Sequence, residues 1–353
     1  MSGLTAQAPG GAGNKNADDT GGAGGKSAKT GKAEKTGRPG KINKNGMPAK
    51  KPFLVRLKRD LILNRYLYLL ALPVLAFYII FRYAPMYGII IAFKNFNPRL
   101  GIIGSKWIGF KNFTDFFSGV YFLRVVGNTL MINLLGLLFG FPVPLLLALM
   151  INEVRHLQFK KLVQTITYMP HFISIVVVAG IIITFTAKNG IINDIIVAFG
   201  GERTVLMRRP ELFRPIYITS GIWQEAGFNS IIYIAAIAGV DPELYDAATM
   251  DGAGRFRKIW NIIIPSIAPT IVILLILRIG SMMSVGFEKI ILLYNESTYQ
   301  TADVISSYVY RIGLQQFNFS FSAAVGLFNS VINFILVIGA NTFSRKIQQS
   351  SLW

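Results

Sequence analysis

Asp241-Pro-Glu-Leu-Tyr-Asp-Ala-Ala-Thr-Met-Asp-Gly252-Ala-Gly-Arg-Phe-Arg-Lys-Ile-Trp-Asn-Ile-Ile-Ile-Pro265 is a short polar stretch set between two long apolar ones. Asp241 suits a helix N-cap and Pro242 the first helical position, while Glu243 meets the positive end of the helix dipole. These residues predict a short helix from Pro242 to Asp251. Ala247 and Ala248 give it a small surface. Gly252 and Gly254 allow a sharp turn, because glycine adopts backbone angles that other residues avoid. Arg255, Phe256, Arg257 and Lys258 begin a basic amphipathic piece suited to a membrane surface, and Pro265 opens the next apolar run.

Outward from this loop lie six apolar stretches, at 66–83, 128–150, 164–187, 214–239, 264–287 and 323–343. Each runs about 18–26 residues. At about 1.5 Å rise per residue, such helices cross a hydrocarbon core of about 30 Å. The expected fold is therefore an all-α membrane protein of about six spans, over residues 61–353. Pro73, Pro142 and Pro144 fall inside spans, where neighbouring helices can cover the freed carbonyls.

The 353-residue chain is 52% hydrophobic, with no cysteine and two histidines, His156 and His171. That composition excludes a disulfide framework, a thiolate metal site and a histidine-rich metal site. The formal net charge is +19, and residues 1–65 hold 14 Lys/Arg against four Asp/Glu. Positive charge beside apolar spans marks the cytoplasmic side of a membrane protein, so no nucleic-acid partner is inferred. Residues 1–60 form a basic segment that is expected to be cytoplasmic and disordered, being rich in Gly, Lys, Ala, Asn and Thr. Gly25-Lys26-Ser27 imitates the end of a phosphate-binding loop, but Thr20 stands where that motif needs glycine.

With the basic head inside, the inner connections are 151–163, the loop 240–265 and the tail after 343, carrying Arg155, Lys160, Lys161, Arg255, Arg257, Lys258, Arg345 and Lys346. Both termini are then cytoplasmic. The first outer loop, 84–127, mixes cations with aromatic residues, and parts of it are expected to form a helix lying in the interface. The outer connections together carry 11 Lys/Arg against seven Asp/Glu, which suits an acidic solute or lipid phosphates. No internal repeat is visible, which disfavours inverted-repeat transporters.

Asp246-Ala247-Ala248, Gly252 and Ile262-Ile-Ile-Pro265 together resemble the signature loop of type I permease subunits of binding-protein-dependent ABC importers. Tyr83-Ala-Pro-Met-Tyr-Gly-Ile-Ile-Ile-Ala-Phe-Lys-Asn-Phe96 and Gly227-Phe-Asn-Ser-Ile-Ile-Tyr-Ile-Ala-Ala-Ile-Ala-Gly-Val-Asp-Pro-Glu-Leu244 are similar to stretches of the oligosaccharide and polysaccharide branch. The resemblance covers about residues 60–353. Asp246 stands where the family usually has glutamate, and Ile264 where it usually has leucine.

The resemblance implies a non-catalytic subunit of the bacterial inner (plasma) membrane. Its loop, through Glu243, Asp246, Ala247, Ala248, Asp251, Gly252 and Pro265, would dock ABC ATPase subunits. It further implies a second permease subunit, usually a different chain, an extracytoplasmic solute-binding protein and a carbohydrate substrate. ATP and magnesium would sit on the ATPase; no cofactor, metal or catalytic residue is expected in this chain. The alternative is an ion-coupled secondary solute transporter, which would need an ion site at Glu225.

Charge inside a membrane is costly and marks candidate function. Glu225 stands 14 residues before Gly239, and Arg278 stands 14 after Ile264. Both therefore lie about 21 Å from the inner ends of adjacent antiparallel helices. A Glu225–Arg278 ion pair is expected, either beside the translocation path or simply fixing helix register. Trp223, Gln224, Asn229 and Tyr233 carry the planar and aromatic groups that bind sugars. They are expected to line the path with Glu225 and Arg278, or else to serve as interhelical hydrogen bonds. Asn329, Asn333 and Asn341 fit the second role, and His171 fits a packing histidine or a proton relay.

Overall fold

A computed structural model describes residue 60 and residues 62–348. The chain divides into two compact units between Val74 and Leu75. In the first, Asp60 accepts a hydrogen bond from the Asn64 side-chain amide at 2.7 Å and another from the Tyr68 hydroxyl at 2.5 Å. These brace the start of α1 (Arg65–Tyr78). The expected disorder of 1–60 falls, Asp60 aside, outside the described residues.

The second unit is helical apart from a two-residue antiparallel ladder, β1 (Lys94–Asn95) with β2 (Lys106–Trp107). The helices that follow are α2 (Lys111–Phe117), α3 (Phe122–Leu135), α4 (Pro142–Glu153), α5 (Leu157–Tyr168), α6 (Ile175–Thr186), α7 (Ile191–Ala198) and α8 (Pro210–Ala238). After them come α9 (Pro242–Met250), α10 (Arg255–Lys258), α11 (Ile264–Gly280), α12 (Phe287–Leu293), α13 (Ile305–Tyr310) and α14 (Phe319–Gln348). Wide π turns at Gly136–Gly140 and Ile259–Ile263 join α3 to α4 and α10 to α11.

Among the described residues, five stretches are long and apolar enough to cross a membrane: Arg65–Phe93, Phe122–Glu153, Ile175–Ala198, Arg255–Gly280 and Phe319–Lys346. Helix α8 has 29 residues, also long enough, but Gln224, Glu225 and Asn229 dilute its apolar character. Every expected span thus overlaps a helix, although the boundaries differ, most at 164–187 and 264–287.

The stretch 164–187 is not one helix. α5 ends at Tyr168, a tight turn covers Met169–Phe172, and α6 restarts behind Ser174. Pro170 has no N–H to continue the ladder, and Ser174 Oγ caps the new helix by accepting from the Val177 N–H at 3.4 Å. The stretch 264–287 ends early, at Gly280. Asn333 of α14 holds the turn beyond it, accepting from the Met283 N–H at 2.9 Å and donating to Ser284 Oγ at 2.8 Å. This is the interhelical role expected of Asn333. In the first outer loop α2 is indeed helical, but the loop also holds the ladder, which neither hydropathy nor composition signalled.

Three apolar clusters hold the second unit together. One joins Ile132, Val178, Ile182, Phe213, Ile290 and Leu293. Another joins Ala148, Leu149, Tyr233, Ile237, Ile263 and Ile267. The third packs Phe116, Val125, Met283, Ile305, Tyr308 and Val325. Helix α8 contributes Phe213 to the first and Tyr233 and Ile237 to the second, so its middle turns are left to face a cavity.

Candidate functional site

On α8, Tyr217, Gly221, Glu225, Asn229 and Tyr233 recur every fourth residue, which places them in one inclined row. All five line a cavity of about 600 Å³. The facing walls are Gly136, Gly140 and Pro144 of the second span, Leu274, Leu277 and Arg278 of α11, and Ser284, Glu288 and Lys289 beyond it. The π turn at Gly136 makes room for a charge: a Cβ added there would stand 3.1 Å from Arg278 Nη2.

Gln224, Glu225, Asn229, Tyr233 and Arg278, all expected on the path, are brought to this cavity. Trp223 is not; it does not line the cavity and is 48% exposed. Position 223 is two residues from both 221 and 225, about 200° around the helix from each, so its side chain is turned away from that row. Gln224 is 6% exposed, and its Nε2 donates to the Ile173 carbonyl at 3.4 Å. It therefore also bridges helices. Asn229 lines the cavity and is exposed.

The expected Glu225–Arg278 ion pair is absent among the described residues. Glu225 Oε2 lies 3.0 Å from Nδ1 of His171 instead. The His171 ring stacks on Phe228 with centroids 3.8 Å apart and planes 4° from parallel. Equal depth on adjacent helices does not decide facing. The helix break at Pro170 lets the Met169–Phe172 turn approach α8, and Gly227 admits the end of α5 just before it: a Cβ there would run into the Thr167 carbonyl.

Lys289 was not expected here, having been placed in an outer connection. It is 7% exposed, donates from Nζ to the Tyr217 carbonyl at 3.3 Å, and stands 5.0 Å from that ring's centroid. It lies beyond the apolar spans, and burial pushes its ammonium down to about 8, with the nearby Glu225 carboxylate acting in the opposite sense. The one sequence signal was a lone cation inside the otherwise apolar run Lys289–Leu293.

The loop after α8 forms as its residues dictate. Asp241 Oδ1 caps α9 by accepting from the Glu243 N–H at 2.9 Å. The helix stops at Met250, and Gly252 takes φ +70°, the left-handed turn that favours glycine. Gly254, also expected to supply the turn, has φ −71° and ψ 172°, which any residue adopts. Tyr245 packs inward on the cluster of Leu149, Ile237 and Ile263; burial, with Glu153 nearby, pushes its phenol up. Lys258 Nζ donates to Thr249 Oγ1 at 2.7 Å, and Arg255 Nε lies 3.8 Å from Glu153 Oε2. Glu243, Asp246, Ala247, Asp251, Gly252 and Pro265 are exposed, and Ala248 is half-buried. The exposed Leu244, Met250 and Phe256 add an apolar component to the same loop.

A polar-walled cavity between apolar helices, tied directly to an exposed helical loop, is the arrangement of a transport permease. The family model described as binding-protein-dependent transport system inner membrane component matches residues 140–349, and the chain belongs to this family. It is similar to the polygalacturonan/rhamnogalacturonan transport system permease protein YteP of Bacillus subtilis (strain 168), 47% identical over 305 residues, which are 86% of this chain and 95% of that one. It is likewise 46% identical to Protein LplB of the same organism, over 85% of this chain and 94% of that one. Among solved structures it resembles a bacterial ABC transporter involved in the import of the acidic polysaccharide alginate, with TM-score 0.77 and 48% identity over 83% of this chain and 99% of that one. A bacterial alginate ABC transporter in complex with an alginate pentasaccharide-bound periplasmic protein gives TM-score 0.78 and 46% identity, over 84% and 100%.

Proposed function

We propose that this chain is the non-catalytic, membrane-spanning subunit of an ATP-driven importer. It passes a carbohydrate, an acidic oligosaccharide above all, from an extracytoplasmic binding protein toward the cytoplasm. The observation that carries the reading is covalent continuity. Helix α8, which forms one cavity wall, runs through Gly239 into α9. The chain then turns at Gly252 and returns as α11, which bears Arg278 on the facing wall. A partner that grips α9 in one nucleotide state and releases it in another shifts both walls together, because its differential contacts bias the two conformations.

In this reading the exposed face of α9 docks ABC ATPase subunits, which hold the ATP and magnesium. A second permease chain completes the path, and both termini lie on the cytoplasmic side with the loop. Carbohydrate import is supported by the relatives named above, and an acidic substrate by the two cations on the cavity wall. Family membership argues against the ion-coupled alternative, since binding-protein-dependent systems take their energy from a nucleotide.

The experiment is ATP-dependent uptake by the complete complex, with binding protein, in proteoliposomes. Trigalacturonate is expected to accumulate only with ATP inside the ATPase compartment. Uptake that follows a proton or sodium gradient and ignores ATP depletion refutes the proposal.

A further inference from the structure

Asp303, fully buried, has its charge answered. Asp303 accepts from Arg311 at 2.6 and 3.2 Å and from Arg124 at 3.2 Å. On the cavity wall, Glu225 is met by His171. Two cations on the same wall break this pattern. Lys289, 7% exposed, has one protein acceptor, the neutral Tyr217 carbonyl. Arg278 makes no side-chain hydrogen bond and no ion pair among the described residues, and it opens into the cavity. An ammonium has three donors, so Lys289 keeps unfilled valence in a site where unpaired charge is costly.

Both head groups rest against glycine. A Cβ on Gly221 would lie 3.6 Å from Lys289 Nζ, and one on Gly136 would lie 3.1 Å from Arg278 Nη2. Of the side chains on α8, the Tyr217 ring faces Lys289, with its centroid 5.0 Å from Nζ, and it offers no anion. The cavity volume, about 600 Å³, falls within the roughly 300–1,000 Å³ typical of small-molecule sites. Glu288 also lines the cavity, but it is exposed, where solvent screens a charge.

Resting on the proposed import of acidic saccharide, we infer that Lys289 is a specificity-determining residue of the path. With Arg278 it receives the carboxylate of a uronic-acid unit, while Asn229 and the rim of the row on α8 meet the neutral hydroxyls. Glu225 is near enough to act on Lys289 but lies against His171, so the substrate carboxylate supplies the directly bonded anion that Lys289 lacks among the described residues, and charge-assisted bonds of this kind are short and strong. A neutral sugar leaves the buried ammonium unanswered and is disfavoured on that account.

The test uses the complete complex in proteoliposomes with ATP, comparing the wild type with K289Q and K289R. The probes are trigalacturonate and its full methyl ester. The wild type is expected to favour the free acid, K289Q to lose that preference by roughly tenfold or more, and K289R to keep most of it. ATPase activity without sugar serves as the assembly control. An unchanged acid-to-ester ratio in K289Q overturns the role of Lys289. Should K289Q fail to assemble, K289R decides through its pH profile. Wild-type preference for the acid should fade above about pH 8, whereas K289R preference should persist; identical profiles overturn the inference. The charged and titratable groups that line the cavity with Lys289 are Tyr217, Glu225, Tyr233, Arg278 and Glu288. If the wild type takes up neither probe with ATP, the proposed function itself fails. Equal uptake of both by the wild type sinks only this inference.

Discussion

The carboxylate of Glu225 lies 3.0 Å from Nδ1 of His171, across the joint between α8 and the turn at Pro170. Arg278, on the facing wall, is left to the cavity. A double-mutant cycle on thermal stability should therefore give coupling of roughly 0.5–1 kcal/mol between His171 and Glu225. The same cycle between Glu225 and Arg278 should give close to zero. Since the Glu225 side chain is 46% exposed, solvent screening keeps the first value small. Reversed magnitudes would refute the pairing.

Gly227 should tolerate no side chain. An added Cβ meets the Thr167 carbonyl, a backbone atom that cannot swing aside. Gly227→Ala is expected to destabilise by about 1–3 kcal/mol, read as a lower Tm and a reduced yield of folded protein. Wild-type stability in that variant would mean that α5 and α8 are farther apart than the structure has them.

Asp303 should be a structural keystone. It has no exposed surface and holds Arg311 and Arg124, while Ser307 Oγ donates to it at 2.8 Å. Asp303→Asn keeps the shape but leaves two guanidiniums without an anion, at a cost of about 3–5 kcal/mol. Thermal unfolding of the purified protein measures this, and an unshifted Tm contradicts it.

Gly252 separates docking from folding. At φ +70° a β-branched residue is strained by about 1–2 kcal/mol. Gly252→Val should thus disturb the α9 turn while leaving the spans intact. The expected outcome is normal membrane level with reduced ATPase co-purification and reduced uptake. Full co-purification and full uptake together would remove the coupling role of this loop.

The pH dependence of uptake follows from Lys289. A lysine held down to about 8 is charged below that pH and neutral above it. Anion binding at the cavity wall should weaken as pH rises through that value, seen as a rising KM for trigalacturonate with a smaller change in kcat. A flat KM between pH 7 and 9 would show that the ammonium takes no part.

Much of the loop was legible because its signals are local. Asp241, Pro242 and Gly252 act through their own backbone neighbours, and each behaves as its type demands. The break at Pro170 was legible in principle, yet the apolar count over 164–187 outweighed a single imino acid. The row Tyr217–Tyr233 was half legible: the polar members were visible, but their facing was judged from depth alone. Depth is fixed by the count of residues. Facing depends on how α8 is rotated against its neighbours, which is why Trp223 left the path and His171 took the place expected of Arg278.

By itself, the sequence determined the presence of the long apolar stretches, the capped α9 and the left-handed turn at Gly252, since hydropathy and backbone sterics are properties of each stretch alone. Only the tertiary structure decided the partner of Glu225, the burial of Lys289 and the early end of α11 at Gly280. Those depend on which side chains from distant segments meet, and hydropathy leaves that contact free.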